Sequence, residues 1–251
     1  MLAVLLVIWR QPKFRPIFDK PVDLEQINLN SKTPETTPEI GPRHKLNYQQ
    51  WLDILKQEAQ VAADKPPHHL AILAGDSLSL WFPHELLPED KGWLNQGISG
   101  ETSSGLLERL NLFDRTQPET ILVMIGINDL IRGVKDETVL NNQKQIIQYL
   151  KSSHPQSRII VESILPHGGK ETTWEGRDKL LAISNSRIRG LNAKLSKIAA
   201  RQKVKYINLY ALFTNNQGNL RQELTSDGLH LNPQGYLVWR TALQIYSNPN
   251  L

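Results

Sequence analysis

The chain of 251 residues contains no cysteine, which excludes disulfides, thiolate nucleophiles and cysteine metal centres at once. Runs of like charge are also missing. Lys and Arg number 29 against 25 Asp and Glu, so the net charge of +4 is mild and scattered, without the clustered basic face expected of a nucleic-acid binder. No apolar stretch approaches the ~20 residues that a transmembrane helix needs. The G-x-S-x-G pattern of the nucleophile elbow is absent, which disfavours an ordinary α/β-hydrolase. What remains is 39% hydrophobic and 22% charged residues, the balance of a globular protein with a sizeable core.

The first residues stand apart. Residues 2–9 read Leu-Ala-Val-Leu-Leu-Val-Ile-Trp and end at Arg10, without the basic start and small-residue cleavage site of a signal peptide. Two readings stay open. The run is a terminal segment docked on a cytoplasmic domain, or it is the stub of a membrane anchor. In the second case Trp9, Arg10, Lys13 and Arg15 lie at the interface and the protein is membrane-associated on the cytoplasmic side. Residues 11–43 then carry Pro12, Pro16, Pro21, Pro34, Pro38 and Pro42, the composition of an extended linker. The expected organisation is an N-terminal extension over 1–43 and one folded domain over 44–251.

From residue 44 the periodicity changes. Tyr48, Trp51, Leu55, Ala59 and Ala62 recur at helical spacing over residues 44–63, and Asp64-Lys65-Pro66-Pro67 ends that helix. Five apolar runs then alternate with helical patterns: Leu70–Ala74, Leu94–Ile98, Ile121–Ile125, Arg158–Ile164 and Val204–Leu209. The intervening helices are marked by Leu106, Leu107, Leu110 and Phe113, by residues 137–151, and by residues 178–202, which read as the longest helix. Pro233–Tyr246 closes the chain, with proline in its first turn. Short buried strands alternating with helices predict an α/β protein with a parallel sheet covered on both faces. Ligands of such sheets bind beyond the carboxyl ends of the strands.

The chemistry-bearing residues fall at those ends. Ser77 follows the first strand in Gly75-Asp76-Ser77-Leu78; it is a nucleophile if a base stands beside it, or else a helix N-cap. His230 follows Asp227 by three residues, with Gly228 between. The carboxylate can fold back onto one ring nitrogen and leave the other facing a nucleophile, although a solvated turn fits the same residues. Gly100 lets a backbone N–H approach a ligand, and Asn128 carries an amide NH₂ that can donate to the same oxygen. A plain turn glycine and a loop-capping amide are the alternatives. Each bland alternative is acceptable alone, but Gly-Asp-Ser-Leu arises by chance in roughly one chain of this length in a hundred. The four blocks together, in this order and each at a strand end or loop, are far rarer.

On these residues the chain resembles the SGNH (GDSL) hydrolases from about Leu70 to the last helix. The resemblance implies a three-layer α/β/α sandwich of flavodoxin type with a five-stranded parallel sheet. It implies Ser77 as nucleophile, Asp227 and His230 as the rest of a triad, and an oxyanion hole formed by the Ser77 N–H, the Gly100 N–H and the Asn128 amide. No cofactor, metal or nucleic-acid partner is implied, and the substrate is a small-molecule ester or thioester. Residues 97–110 resemble bacterial thioesterase I/lysophospholipase members. Ser163-Ile164-Leu165-Pro166 and residues 227–236 resemble acetylhydrolase-like and carbohydrate-esterase members. The expected activity is therefore that of a serine esterase of lipase, lysophospholipase or acylhydrolase type. An O-acetyl carbohydrate esterase is the alternative within the family, and a non-catalytic flavodoxin-like binding module the alternative outside it. His68-His69 beside Pro66-Pro67 reads as a solvated turn, Trp81 and Phe82 as core in preference to the lining of an acyl pocket, and Trp174 in loop 167–177 as either a lid residue or a merely exposed ring. Asp129 is expected to orient its loop without a catalytic role.

Overall fold

A computed structural model describes residues 46–247. The apolar run 2–9, the linker to residue 43 and the anchor question attached to them lie outside the described residues. Among the described residues, no helix is long and apolar enough to cross a membrane.

Five strands form one parallel sheet: β1 (Ala71–Gly75), β2 (Trp93–Gly97), β3 (Thr120–Met124), β4 (Arg158–Glu162) and β5 (Lys205–Ile207), in the order β2-β1-β3-β4-β5. Gly75 at the end of β1 is level with Gly97 of β2 and Met124 of β3, so the three loops that follow leave the sheet side by side. The order reverses between β1 and β3, where a crevice opens at the carboxyl edge of a doubly wound sheet.

Alternation along the strands assigns the two faces. Ile72 and Ala74 of β1, Ile121 and Val123 of β3, and Ile159 of β4 pack in one cluster with Ala59 and Ala62 of α1 (Tyr48–Asp64), Leu106 of α3 (Ser103–Glu108) and Ile146 and Leu150 of α5 (Asp136–Ser153). Leu73, Leu122, Met124 and Ile160 face the other way, toward Leu78 of α2 (Ser77–Leu80), Phe213 of α8 (Tyr210–Phe213) and Tyr236, Trp239 and Leu243 of α9 (Pro233–Ser247). The remaining helices are α4 (Ile127–Ile131), α6 (Arg177–Leu181) and α7 (Asn185–Arg201). The expected α/β sandwich with five parallel strands is therefore what the chain forms.

One expectation fails. Residues 178–202 are two helices, α6 and α7, because the Ser184 hydroxyl accepts the Arg187 N–H at 3.2 Å and caps a new helix. Ile183, just before that cap, is buried beside Leu180 and Ile188. At 17 residues α7 is shorter than α5, which has 18. The start of α1 is set by a reciprocal cap, in which the Gln50 N–H donates to the Asn47 side chain and the Asn47 N–H to the Gln50 side chain.

A buried acid, Glu162, lies on the face covered by α9. Glu162 accepts the Trp239 indole N–H at 2.8 Å through Oε1, while Oε2 has no partner. Burial pushes its carboxyl up to about 8 from an ordinary 4.5, against the pull of the Trp239 hydrogen bond. Between those values the unfolded chain is ionised and the folded chain keeps the proton. The stability present below pH 4.5 is therefore lost progressively as pH rises through about 8. Glu162→Gln keeps the acceptor for Trp239 and removes the titration. Thermal denaturation is expected to show little gain for this variant near pH 5 and a gain on the order of 3 kcal/mol at pH 8. A gain independent of pH would assign the effect to packing instead.

Candidate active site

Ser77 is the first residue of α2, set directly beyond β1. The cap of that helix is Asp76, whose Oδ1 accepts the Leu78 N–H at 3.0 Å, so Ser77 is not the N-cap. The short turn is held from several sides. The Trp81 N–H reaches the Ser77 carbonyl at 2.9 Å, the Asn95 amide the Ser79 carbonyl at 2.6 Å, and the Tyr236 hydroxyl the Leu78 carbonyl at 3.1 Å. Burial raises the Asp76 carboxyl to about 7. The Leu78 hydrogen bond opposes this, and the charges of Asp129 and Glu101 add to it.

The loop after β2 is bound to the same strand end. The Gly75 carbonyl accepts both the Ile98 N–H at 3.2 Å and Arg109 Nη2 at 3.1 Å. Arg109 is buried and also donates through Nε to Glu101 Oε2 at 2.9 Å; the Tyr48 hydroxyl donates to that same oxygen at 3.1 Å. Gly100 has φ +76, a left-handed conformation that side chains disfavour. Its carbonyl accepts Arg132 Nη2 at 2.7 Å, so its peptide is fixed. From the first turn of α4, which follows β3, one N–H of the Asn128 amide donates to the Glu101 carbonyl at 3.0 Å, and the second is left to point elsewhere. Among the described residues, neither the Ser77 nor the Gly100 N–H has an acceptor. Asp129, next to Asn128, accepts the Ser103 N–H at 2.8 Å and hydroxyl at 2.6 Å. As the sequence suggested, it orients its loop.

The third part of the site is the loop between β5 and α9. Asp227 Oδ1 accepts the backbone N–H groups of Leu229 and His230 at 2.9 and 2.8 Å. Its Oδ2 lies 2.7 Å from His230 Nδ1. Burial pushes the Asp227 carboxyl up, but the His230 side chain, the two backbone donors and the charge of His230 outweigh it and hold the group below its ordinary value. An ionised carboxylate only accepts, so Nδ1 of His230 is the donor in this contact, and the neutral tautomer that fits it has its lone pair on Nε2. The imidazole is buried, not a solvated turn, and the Trp81 ring lies 4.3 Å from it, centroid to centroid. Ser77 and His230 therefore both adjoin Trp81, one through its backbone and the other through its ring.

Two supports escaped sequence reading. Arg109 stands at an apolar-face position between Leu106 and Leu110, and a lone charge on such a stripe is the available signal. The second is loop 167–177, which is a strap. The Asp227 carbonyl accepts the Thr173 and Trp174 N–H groups at 2.9 and 3.0 Å, and the Gly228 carbonyl accepts the Gly168 N–H at 2.7 Å. Trp174 is half-buried against the cluster that includes Leu229, and so is not the exposed ring of one reading. His167 anchors the strap. Its Nδ1 accepts the Gly169 N–H at 3.1 Å, which leaves Nε2–H to donate to the Ile183 carbonyl at 2.6 Å. Phe82 is core as expected, whereas Trp81 is 43% exposed and is not. His68 and His69 lie apart from the site, and His69 pairs with Glu119 at 2.6 Å. No group of three or more His, Asp or Glu placed to hold a metal occurs among the described residues.

The sheet has the flavodoxin strand order and carries these residues at its carboxyl edge. The sequence profile of the GDSL-like lipase/acylhydrolase family matches residues 73–238; the chain belongs to that family and is an ester-bond hydrolase. It is 23% identical over 197 residues to the platelet-activating factor acetylhydrolase IB subunit alpha1 of Bos taurus, covering 74% of this chain and 77% of that one. An arylesterase of Vibrio mimicus is 28% identical over 127 residues, 43% of this chain and 62% of that one. Among solved structures, one from Streptococcus pneumonia, provisionally described as a platelet activating factor, superposes with a TM-score of 0.70 at 27% identity, over 79% of this chain and 93% of that one. A GDSL-like lipase of Bacteroides thetaiotaomicron has the same fold, with a TM-score of 0.62 at 19% identity over 78% and 100% of the two chains.

The strap makes a prediction. Gly228 has φ +89, and a Cβ there would stand 2.6 Å from Thr172 Oγ1 and 2.7 Å from its Cα. Gly228→Ala is expected to shift the Asp227–His230 loop, lowering kcat roughly 10²-fold with little change in KM. Thr172→Ala, which removes only an unpartnered hydroxyl, is expected to stay near wild type. Steady-state kinetics on any accepted ester distinguish the two, and equal losses would deny the strap a role in positioning.

Proposed function

We propose that the protein is a serine esterase in which Ser77 is the nucleophile, His230 the general base and acid, and Asp227 the carboxylate that orients the imidazole. The observation that carries this reading is the 2.7 Å contact between Asp227 Oδ2 and His230 Nδ1, with Oδ1 of the same carboxylate held by two backbone donors. His230 Nε2 takes the Ser77 hydroxyl proton as Oγ attacks the ester carbonyl carbon. The oxyanion that forms is met by the Ser77 N–H, the Gly100 N–H and the Asn128 N–H not engaged by Glu101. The carbon–oxygen bond to the alcohol then breaks, and His230 gives its proton to the leaving oxygen. Water, deprotonated in turn by His230, attacks the acyl-serine, releasing the carboxylic acid and restoring the Ser77 hydroxyl.

Short acyl groups are the substrate class that the name of the acetylhydrolase relative favours. A small-molecule ester is the partner this reading requires, and an O-acetylated sugar is one such ester.

Hydrolysis of p-nitrophenyl esters from acetate to dodecanoate is the direct test, with best activity expected on the shorter chains. Ser77→Ala is expected to abolish turnover and labelling by a fluorophosphonate, and Asn128→Ala to lower kcat by about 10²–10³. A loss below about tenfold in Asn128→Ala removes that residue from the oxyanion role. Unchanged activity in Ser77→Ala would end the serine mechanism, and failure of folded wild type to label or turn over would favour a binding module.

A further inference from the structure

We infer that Trp81 is the wall against which the alcohol half of the substrate lies, and that the enzyme thereby favours esters of ring-bearing alcohols over open-chain ones. This rests on His230 being the group that protonates the leaving oxygen. The indole is 43% exposed, whereas Phe82 beside it is buried between Tyr236 and Trp239 with both ring centroids at 5.0 Å. Core packing therefore accounts for Phe82 but not for Trp81. The Trp81 ring instead meets His230 at 4.3 Å with a tilt of 43°, closer than the usual aromatic separation of about 4.5–7 Å. Its backbone is one turn beyond Ser77, through the 2.9 Å bond to the Ser77 carbonyl.

Position decides which half of the ester this ring meets. The donors proposed for the oxyanion, Gly100 and Asn128, come from the segments after β2 and β3, while Trp81 borders the imidazole. A leaving oxygen must come within about 2.6–3.2 Å of Nε2 to receive its proton. The carbon that bears this oxygen then sits beside the imidazole, the ring that the exposed indole borders at 4.3 Å. A flat group with an apolar face, such as an aromatic ring or the C–H face of a sugar, covers the indole there, whereas a flexible alkyl chain covers less of it and loses more freedom.

The test compares benzyl and n-butyl esters sharing the acyl group that serves best, two alcohols of similar leaving ability. In Trp81→Ala the ratio of kcat/KM for benzyl over butyl is expected to fall about fivefold to tenfold, and Trp81→Phe to restore most of it. A general loss from a displaced His230 cancels in this ratio. An unchanged ratio, or a change in acyl-length preference with the alcohol preference intact, overturns the proposal while leaving the serine mechanism standing. If Trp81→Ala does not fold, Trp81→Leu replaces it as a non-aromatic wall, with the same fall expected. A folded wild type inactive on every ester would overturn the functional reading and this proposal together.

Discussion

All five strands point the same way, and the location of the site follows from that constraint. A parallel sheet returns each strand through a crossover, so both faces are covered by helices and only the two ends stay open. At the carboxyl end the central strands stop level with one another, and the segments that follow them carry Ser77, Gly100 and Asn128 at that same edge. Residues 23 and 51 positions beyond the serine in the chain reach the same sheet edge by strand order alone.

Placement at an edge does not fix atoms, and buried polar contacts supply the rest. The Arg109 guanidinium bridges the end of β1 and the Gly100–Glu101 loop, and Asn128 is turned by the carbonyl of Glu101. In the proposed mechanism, donors held in this way need no reorganisation when charge develops on the ester carbonyl. The Asp227 carboxylate does the same for the imidazole, since one oxygen shapes the loop and the other fixes the ring.

Much of this was legible in the residues. Five apolar runs located the strands to within one residue at their starts, because β1, β3 and β4 are buried along nearly their whole length and turn residues bound each run. The Gly-Asp-Ser-Leu block and the Asp227–His230 pair marked the candidate site, because their spacings are local. The break between α6 and α7 was hidden because Ile183 keeps an apolar residue in the run while Ser184 caps, and periodicity alone does not see a cap. Arg109 and the strap at Thr173–Trp174 were hidden for another reason. Their partners, Gly75 and Asp227, lie far away in sequence, and only the folded chain brings them together. Trp81 was assigned to the core because composition cannot tell an indole that fills a cavity from one that lines an entrance.

The strap also bears on how such a scaffold can diversify. Loops at the open end of a sheet are commonly free to change in length and composition. Here the segment from Gly168 to Trp174 donates three backbone hydrogen bonds to Asp227 and Gly228. A loop transplanted from another hydrolase would have to reproduce those donors as well as its own surface. That stretch and the histidine loop are therefore mechanically one unit, whereas Trp81 meets it only through the His230 ring and donates no backbone hydrogen bond to it.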